Sequence, residues 1–156
     1  MSFEQRLTEL GLEVPVLPPP AASYVPAVRT GNLVFASGQT PTVAGRLVIA
    51  GKLGADVTVE QGQEAARLAA LNCLAEVRGL LGSLDMVTRV VKLTGYVASA
   101  AGFGDQPAVI NGASRLMEDV FGPAGRHARA ALGVAELPAG APVEIELVVE
   151  VRGDGA

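Results

Sequence analysis

The stretch from Pro142 to Arg152 constrains the fold most, because Val143, Ile145, Leu147, Val149 and Val151 alternate with Glu144, Glu146, Val148 and Glu150. Successive side chains of a strand point to opposite faces, so this spacing predicts a strand with one apolar face and one mixed carboxylate and valine face. The apolar face requires a cover of helices, whereas the mixed face must meet solvent, another subunit or a ligand. Two segments can supply the cover. Thr58-Val59-Glu60-Gln61 has the pattern of a capping box, and Ala65, Ala66, Leu68, Ala69, Cys73, Leu74, Val77, Leu80 and Leu81 follow at helical spacing until Gly82. Residues 106–120 put Val109, Ala113, Leu116, Met117 and Val120 on one face and predict a second long helix.

The remaining strands are shorter signals. Residues 24–30 and 33–37 are β-prone runs on either side of Gly31-Asn32, the pattern of a hairpin. Arg46-Leu47-Val48-Ile49 reads as a third short strand, residues 86–99 as a long one, and residues 127–134 as another, joined to the last across Leu137-Pro138-Ala139-Gly140. The order β-β-β-α-β-α-β-β is that of an α+β fold, two helices packed on one mostly antiparallel sheet. Ahead of it, Phe3, Leu7 and Leu10 mark a short amphipathic helix between a Ser2 cap and Gly11, and four prolines between Pro15 and Pro20 prescribe an extended arm. Residues 1–21 are thus a helix and proline-rich arm, and 22–156 a single domain.

Composition narrows the function. A chain of 156 residues with 49% apolar and 18% charged residues is a globular domain without a run long enough for a membrane span. Its net charge of −4, with basic residues scattered, prepares no surface for nucleic acid or anionic lipid. One cysteine and one histidine give neither a disulfide nor a set of soft metal ligands, so no metal is expected. The first residues show no basic region followed by an apolar one, and a cytoplasmic location is the expectation.

Few residues are left to carry chemistry. Arg129, set between small residues on a strand, offers a planar fork for a carboxylate, which could come from a ligand or from Glu144 or Glu146 on a neighbouring strand. Glu144 could hold a water as general base or acid, or could be part of a solvated sheet face. Ser37-Gly38-Gln39 would form a loop able to aim backbone groups at a ligand, but it is not a hydrolase elbow and no histidine is placed for a triad. His127 is a candidate acid or base and equally a polar residue at a strand start. Asn111, near the start of the second helix, could cap, face water or point into a pocket. Cys73 reads as a small core hydrophobe, and Gly102-Phe103-Gly104 as a loop lacking the third glycine of a dinucleotide fingerprint.

Together these landmarks resemble the Rid/YjgF-like family of reactive-intermediate imine deaminases, some of whose members carry an endoribonuclease label. The resemblance runs through Tyr24-Val25, Phe35-Ala36-Ser37-Gly38-Gln39-Thr40-Pro41, Val109-Ile110-Asn111, Ala128-Arg129-Ala130, Val134-Ala135-Glu136-Leu137-Pro138 and Val143-Glu144-Ile145-Glu146. It implies a chorismate-mutase-like fold and a homotrimer with sites between subunits. It further implies that Arg129 grips a substrate carboxylate, that Glu144 orients the hydrolytic water, and that Tyr24, Ser37, Gly38 and Asn111 line the cleft. The implied reaction is hydrolysis of 2-imino acids, such as those formed from 2-aminoacrylate, to 2-keto acids and ammonia, with no cofactor. Ala130 and Ala131 stand where characterised deaminases carry a hydroxyl and a thiol, and residues 1–21 mark a longer branch of the family. The competing reading is a non-catalytic trimer that binds small carboxylates. Glu144 favours catalysis, since binding alone needs only the arginine, and a ribonuclease is disfavoured by the acidic chain and its single histidine.

Overall fold

Alternation along the last strand decides where the core lies. In the computed structural model, which describes residues 1–154, the chain runs through α1 (Phe3–Glu9), β1 (Ala27–Thr30), β2 (Leu33–Gln39), β3 (Thr42–Val43), β4 (Arg46–Leu47), α2 (Val59–Leu81), β5 (Val87–Ala98), α3 (Gln106–Phe121), β6 (Ala128–Val134) and β7 (Val143–Val151). The last two residues of the expected 22–156 domain lie outside the described residues. Five strands form one sheet in the order β1-β2-β7-β5-β6, antiparallel except for β5 and β6. That parallel pair follows from α3, which carries the chain back across the sheet between the two strands.

Three sequence expectations change. The third strand shrinks to Arg46–Leu47 and stays out of the main sheet, pairing only with β3. The cause is local: Ala44 and Gly45 both take positive φ (51° and 77°), a tight turn that folds the segment back on residues 42–43. The first hairpin strand begins at Ala27 rather than Tyr24, after Pro26, which has no N–H to donate to a ladder. Ser37, Gly38 and Gln39 are the irregular end of β2 and not a loop, with the register to β7 slipping between Ala36 and Gln39.

All five apolar residues of β7 that alternate with the glutamates are buried under the helices. Thr58 closes the predicted capping box, accepting from the Gln61 N–H while the Gln61 side chain accepts from the Thr58 N–H. The two long helices approach closely because Gly112 lies against the backbone of Gln63, where any Cβ would collide with the Gln63 carbonyl. Leu80 departs from the apolar stripe of α2 and is exposed. Short α1 is tied down: Asp85 accepts from the N–H groups of Phe3 and Glu4 (2.7 and 3.3 Å), and Phe3 meets Phe121 edge-on at 4.8 Å. Leu7 and Val14 join the same core, so the proline arm is anchored at its start and runs over the surface from there.

Candidate functional site

Arg129 sits on β6, the edge strand of the sheet, and its register opposite Leu93 of β5, itself opposite Leu147 of β7, puts it on the helix-covered face. There it meets α3. Its Nη1 donates to Asn111 Oδ1 (2.8 Å) and Ser114 Oγ (3.2 Å), two residues that share a helix face at a spacing of three. Ser114 also lies 3.0 Å from His127 Nε2, whose other ring nitrogen is 2.6 Å from the Gly125 carbonyl. A carbonyl only accepts, so His127 Nδ1 carries a proton, while the Ser114 hydroxyl meets Nε2 and accepts from Arg129. The guanidinium is therefore held by neutral groups. Both Nη1 hydrogens are used, and the Nε and Nη2 edge of an exposed side chain remains as the fork for a carboxylate. None of the ion pairs among the described residues includes Arg129, and β5 separates its strand from β7, so Glu144 and Glu146 are not its partners.

Glu144 belongs to the other face. It stands opposite Tyr96, which stands opposite Leu132, whereas Arg129 lies three residues along from Leu132 on the opposite side of the sheet. Two strand spacings and three residue rises put the two Cα atoms roughly 14 Å apart. Glu144 is only partly exposed, and burial followed by repulsion from Glu146 raises its pKa. Gly38 makes room for it, since a Cβ there would fall 2.7 Å from Glu144 Oε2. Its neighbours on the strand are already engaged: Tyr96 donates its hydroxyl to Glu146 (2.9 Å) and Thr88 to Glu150 (2.6 Å).

Gly38 and Glu144 border a cavity of about 900 Å³ between the proline arm, the end of β2 and the last turns of α2. Tyr24 lies on its wall as well, half exposed. Ser37 does not, because its hydroxyl donates to the Val25 carbonyl (2.7 Å) and braces the segment before β1. Two residues here escaped the reading of the sequence. Glu76 of α2 is only 5% exposed, accepts from Gln39 Nε2 at 2.5 Å through Oε1, and leaves Oε2 without a partner. Burial pushes its pKa up to about 8, against the lowering effect of the Gln39 bond, so at neutral pH it holds its proton. Asn72, one turn earlier, donates to the Thr40 and Thr42 carbonyls (3.2 and 3.0 Å) and pins the segment that leaves β2. Two polar residues spaced by four within the buried stripe of a helix were the available signal.

Cys73 is buried, donates its thiol to the Ile145 carbonyl (3.1 Å), and has its pKa raised by burial and then by Glu76, as suits a core residue rather than a nucleophile. Among the described residues no group of three or more His, Cys, Asp or Glu is placed to hold a metal ion, and no helix is long and apolar enough to cross a membrane.

With this geometry in place, comparison with known proteins assigns the fold to a family. Residues 4–151 match the family described as YjgF/chorismate mutase-like, putative endoribonuclease. The chain belongs to that family. It is 46% identical over 147 residues to protein TCP17 of Trypanosoma cruzi, covering 94% of this chain and 92% of that one. It is 29% identical over 141 residues to a 2-iminobutanoate/2-iminopropanoate deaminase of Dermatophagoides farinae, covering 90% and 95%. The crystal structure of Atu1372 from Agrobacterium tumefaciens, a protein of unknown function, superposes with a TM-score of 0.89 at 48% identity over 96% of this chain and 92% of its own. The Atu1372 structure thus shares the fold along nearly the whole length of this chain.

Proposed function

We propose that this protein hydrolyses reactive 2-imino acids, and the enamines that tautomerise to them, to 2-keto acids and ammonia, as a homotrimer whose clefts are each built from two copies. The observation that carries this reading is Arg129: an exposed guanidinium held by Asn111 and Ser114 instead of a carboxylate, with no partner on its Nε and Nη2 edge among the described residues. A small 2-imino acid spans far less than the roughly 14 Å that separates Arg129 from Glu144 within one chain. The two residues also face opposite ways, so a shared substrate needs the arginine of a second copy. The sheet face that bears Glu144 supports such an assembly, because Val28, Phe35 and Leu132 lie on it half exposed. The deaminase from Dermatophagoides farinae lends the reaction class.

The chemistry asks for little. In the protonated imine C2 is already electrophilic, so a carboxylate clamp and one positioned water supply most of what is needed. Glu144, its pKa raised by burial and by Glu146, is the better base for it and takes a proton from the water as oxygen adds to C2. Return of a proton to nitrogen lets the C–N bond break, and ammonia leaves the 2-keto acid behind. An endoribonuclease fits the chain less well: the net charge is −4, and both ring nitrogens of its only histidine are engaged. The test is ammonia release from enzymatically generated 2-imino acids by wild type and Arg129→Ala, with mass by light scattering. Arginine-dependent acceleration by a trimer supports the reading. No acceleration over buffer, with 2-keto acids still bound, replaces it with the carboxylate-binding trimer.

A further inference from the structure

The cavity beside Glu144 is far larger than the proposed reaction of a three- or four-carbon imine requires. At about 900 Å³ it lies near the upper end of the range that holds drug-sized ligands. Its walls are chiefly apolar: residues 14–20 of the arm on one side, with Leu80 and Ala75 of α2 opposite. One polar side chain that borders this space keeps an oxygen without a partner: Glu76 Oε2, itself closed off from solvent, on a side chain more than nine-tenths buried. A buried polar atom left unpaired costs about 1–3 kcal/mol, which a ligand atom can recover. Arg78 also borders the cavity but is engaged by Glu4 at 2.9 Å.

We propose that this cavity is the side-chain subsite of the cleft, and that it selects 2-imino acids with a long apolar substituent bearing one hydrogen-bonding atom that meets Glu76. The inference rests on the deaminase reading for the identity of the reacting end, which places the carboxylate at Arg129 of a second copy and C2 beside Glu144. From C2 the substituent extends past Gly38 and along the proline arm. Glu76, protonated at neutral pH, turns its buried Oε2 toward the substituent and donates to it. The arm of residues 14–21 is then a specificity element, shaping the subsite without touching the reacting atoms.

The experiment is a ladder of stable 2-keto acids, from pyruvate through 2-oxohexanoate to 2-oxo-octanoate, titrated calorimetrically into the whole protein. Burial of each methylene is expected to tighten binding about fourfold. Gly79 supplies the second arm, since it borders the cavity on α2 and a Cβ added there meets nothing within 4 Å. Gly79→Phe keeps the helix, fills the space and is expected to flatten the ladder, with the longest chains losing most. For Glu76, 6-hydroxy-2-oxohexanoate is compared with 2-oxoheptanoate, and Glu76→Leu is expected to weaken the hydroxylated ligand several-fold against its alkyl twin. Equal affinity of wild type for pyruvate and 2-oxo-octanoate, or a ladder untouched by Gly79→Phe, overturns the subsite. Equal discrimination by wild type and Glu76→Leu overturns the role of Glu76. A rising ladder with no imine turned over leaves the subsite standing and removes the deaminase reading, while turnover of short imines with a flat ladder does the reverse.

Discussion

The edge of the sheet at Arg129 and the cavity at Glu144 solve opposite electrostatic problems. At the edge, a permanent cation is exposed, fixed by two neutral oxygen acceptors, and backed by a serine and histidine that finish their own hydrogen bonding inside the chain. In the cavity, two acids sit partly or wholly out of water with raised pKa values, one of them with an unpaired oxygen. The edge is organised before any ligand arrives, whereas the cavity stores unsatisfied polarity that a ligand can relieve. A site made from both receives orientation from one region and proton exchange from the other.

Removing the cation breaks this contrast most severely. Arg129→Ala is expected to cost at least 10³-fold in kcat/KM and to abolish 2-keto acid binding, because a charged bidentate clamp is lost. Its effect on stability should stay within about 0.5 kcal/mol, as for other exposed side chains away from the core. Steady-state kinetics beside thermal unfolding checks both. A large fall in Tm with activity retained would make Arg129 a structural residue. Glu144→Gln comes next, with kcat falling about 10²-fold and KM little changed, since the amide keeps the shape and loses the base. Unchanged kcat in that variant would take Glu144 out of the proton transfer.

Glu76 sharpens the same contrast through stability. Its folded-state pKa of about 8 lies above the ordinary value of 4.5, so the unfolded chain releases a proton that the native chain keeps. Stability contributed by this group is therefore full below about pH 4.5 and falls as pH rises toward 8. Glu76→Gln, which cannot ionise, is expected to gain about 3–4 kcal/mol on wild type between pH 5 and pH 8. Denaturant unfolding at the two pH values measures it. A constant difference between the proteins would mean that Glu76 titrates as an ordinary surface acid.

How far the sequence foretold these regions depends on how local the information is. The alternation of residues 143–151 and the Thr58 capping box are set by neighbours in the chain, and both stand in the structure as read. The face on which Arg129 lies depends on a parallel register with β5, a pairing of residues about 36 apart, as in Leu93 with Arg129, that no local pattern encodes. Glu76 was hidden for a similar reason: on α2 it looks like one solvated charge, and only the irregular end of β2, which brings Gln39 over it, makes it buried. Ser37 shows the converse. It lies in a family landmark, yet its hydroxyl is spent on Val25, a bond that depends on how the chain enters β1.

Ser114 gives the finest test, because it touches Arg129 without reaching any reacting atom. Its hydroxyl accepts from Nη1 and also meets His127 Nε2, so Ser114→Ala removes one of two bonds that hold the guanidinium and leaves Asn111 Oδ1 as the other. A charge-assisted hydrogen bond, weakened by solvent at a largely exposed site, contributes about 0.5–1 kcal/mol, which corresponds to a rise of roughly two- to fivefold in KM. The turnover number should hold, since the clamp remains charged and only its orientation loosens. Ser114→Thr keeps the hydroxyl and should recover most of the lost affinity. Equal KM in wild type and Ser114→Ala would show that Asn111 alone fixes the fork, and a fall in kcat with KM unchanged would connect the serine to the chemistry instead of to the clamp.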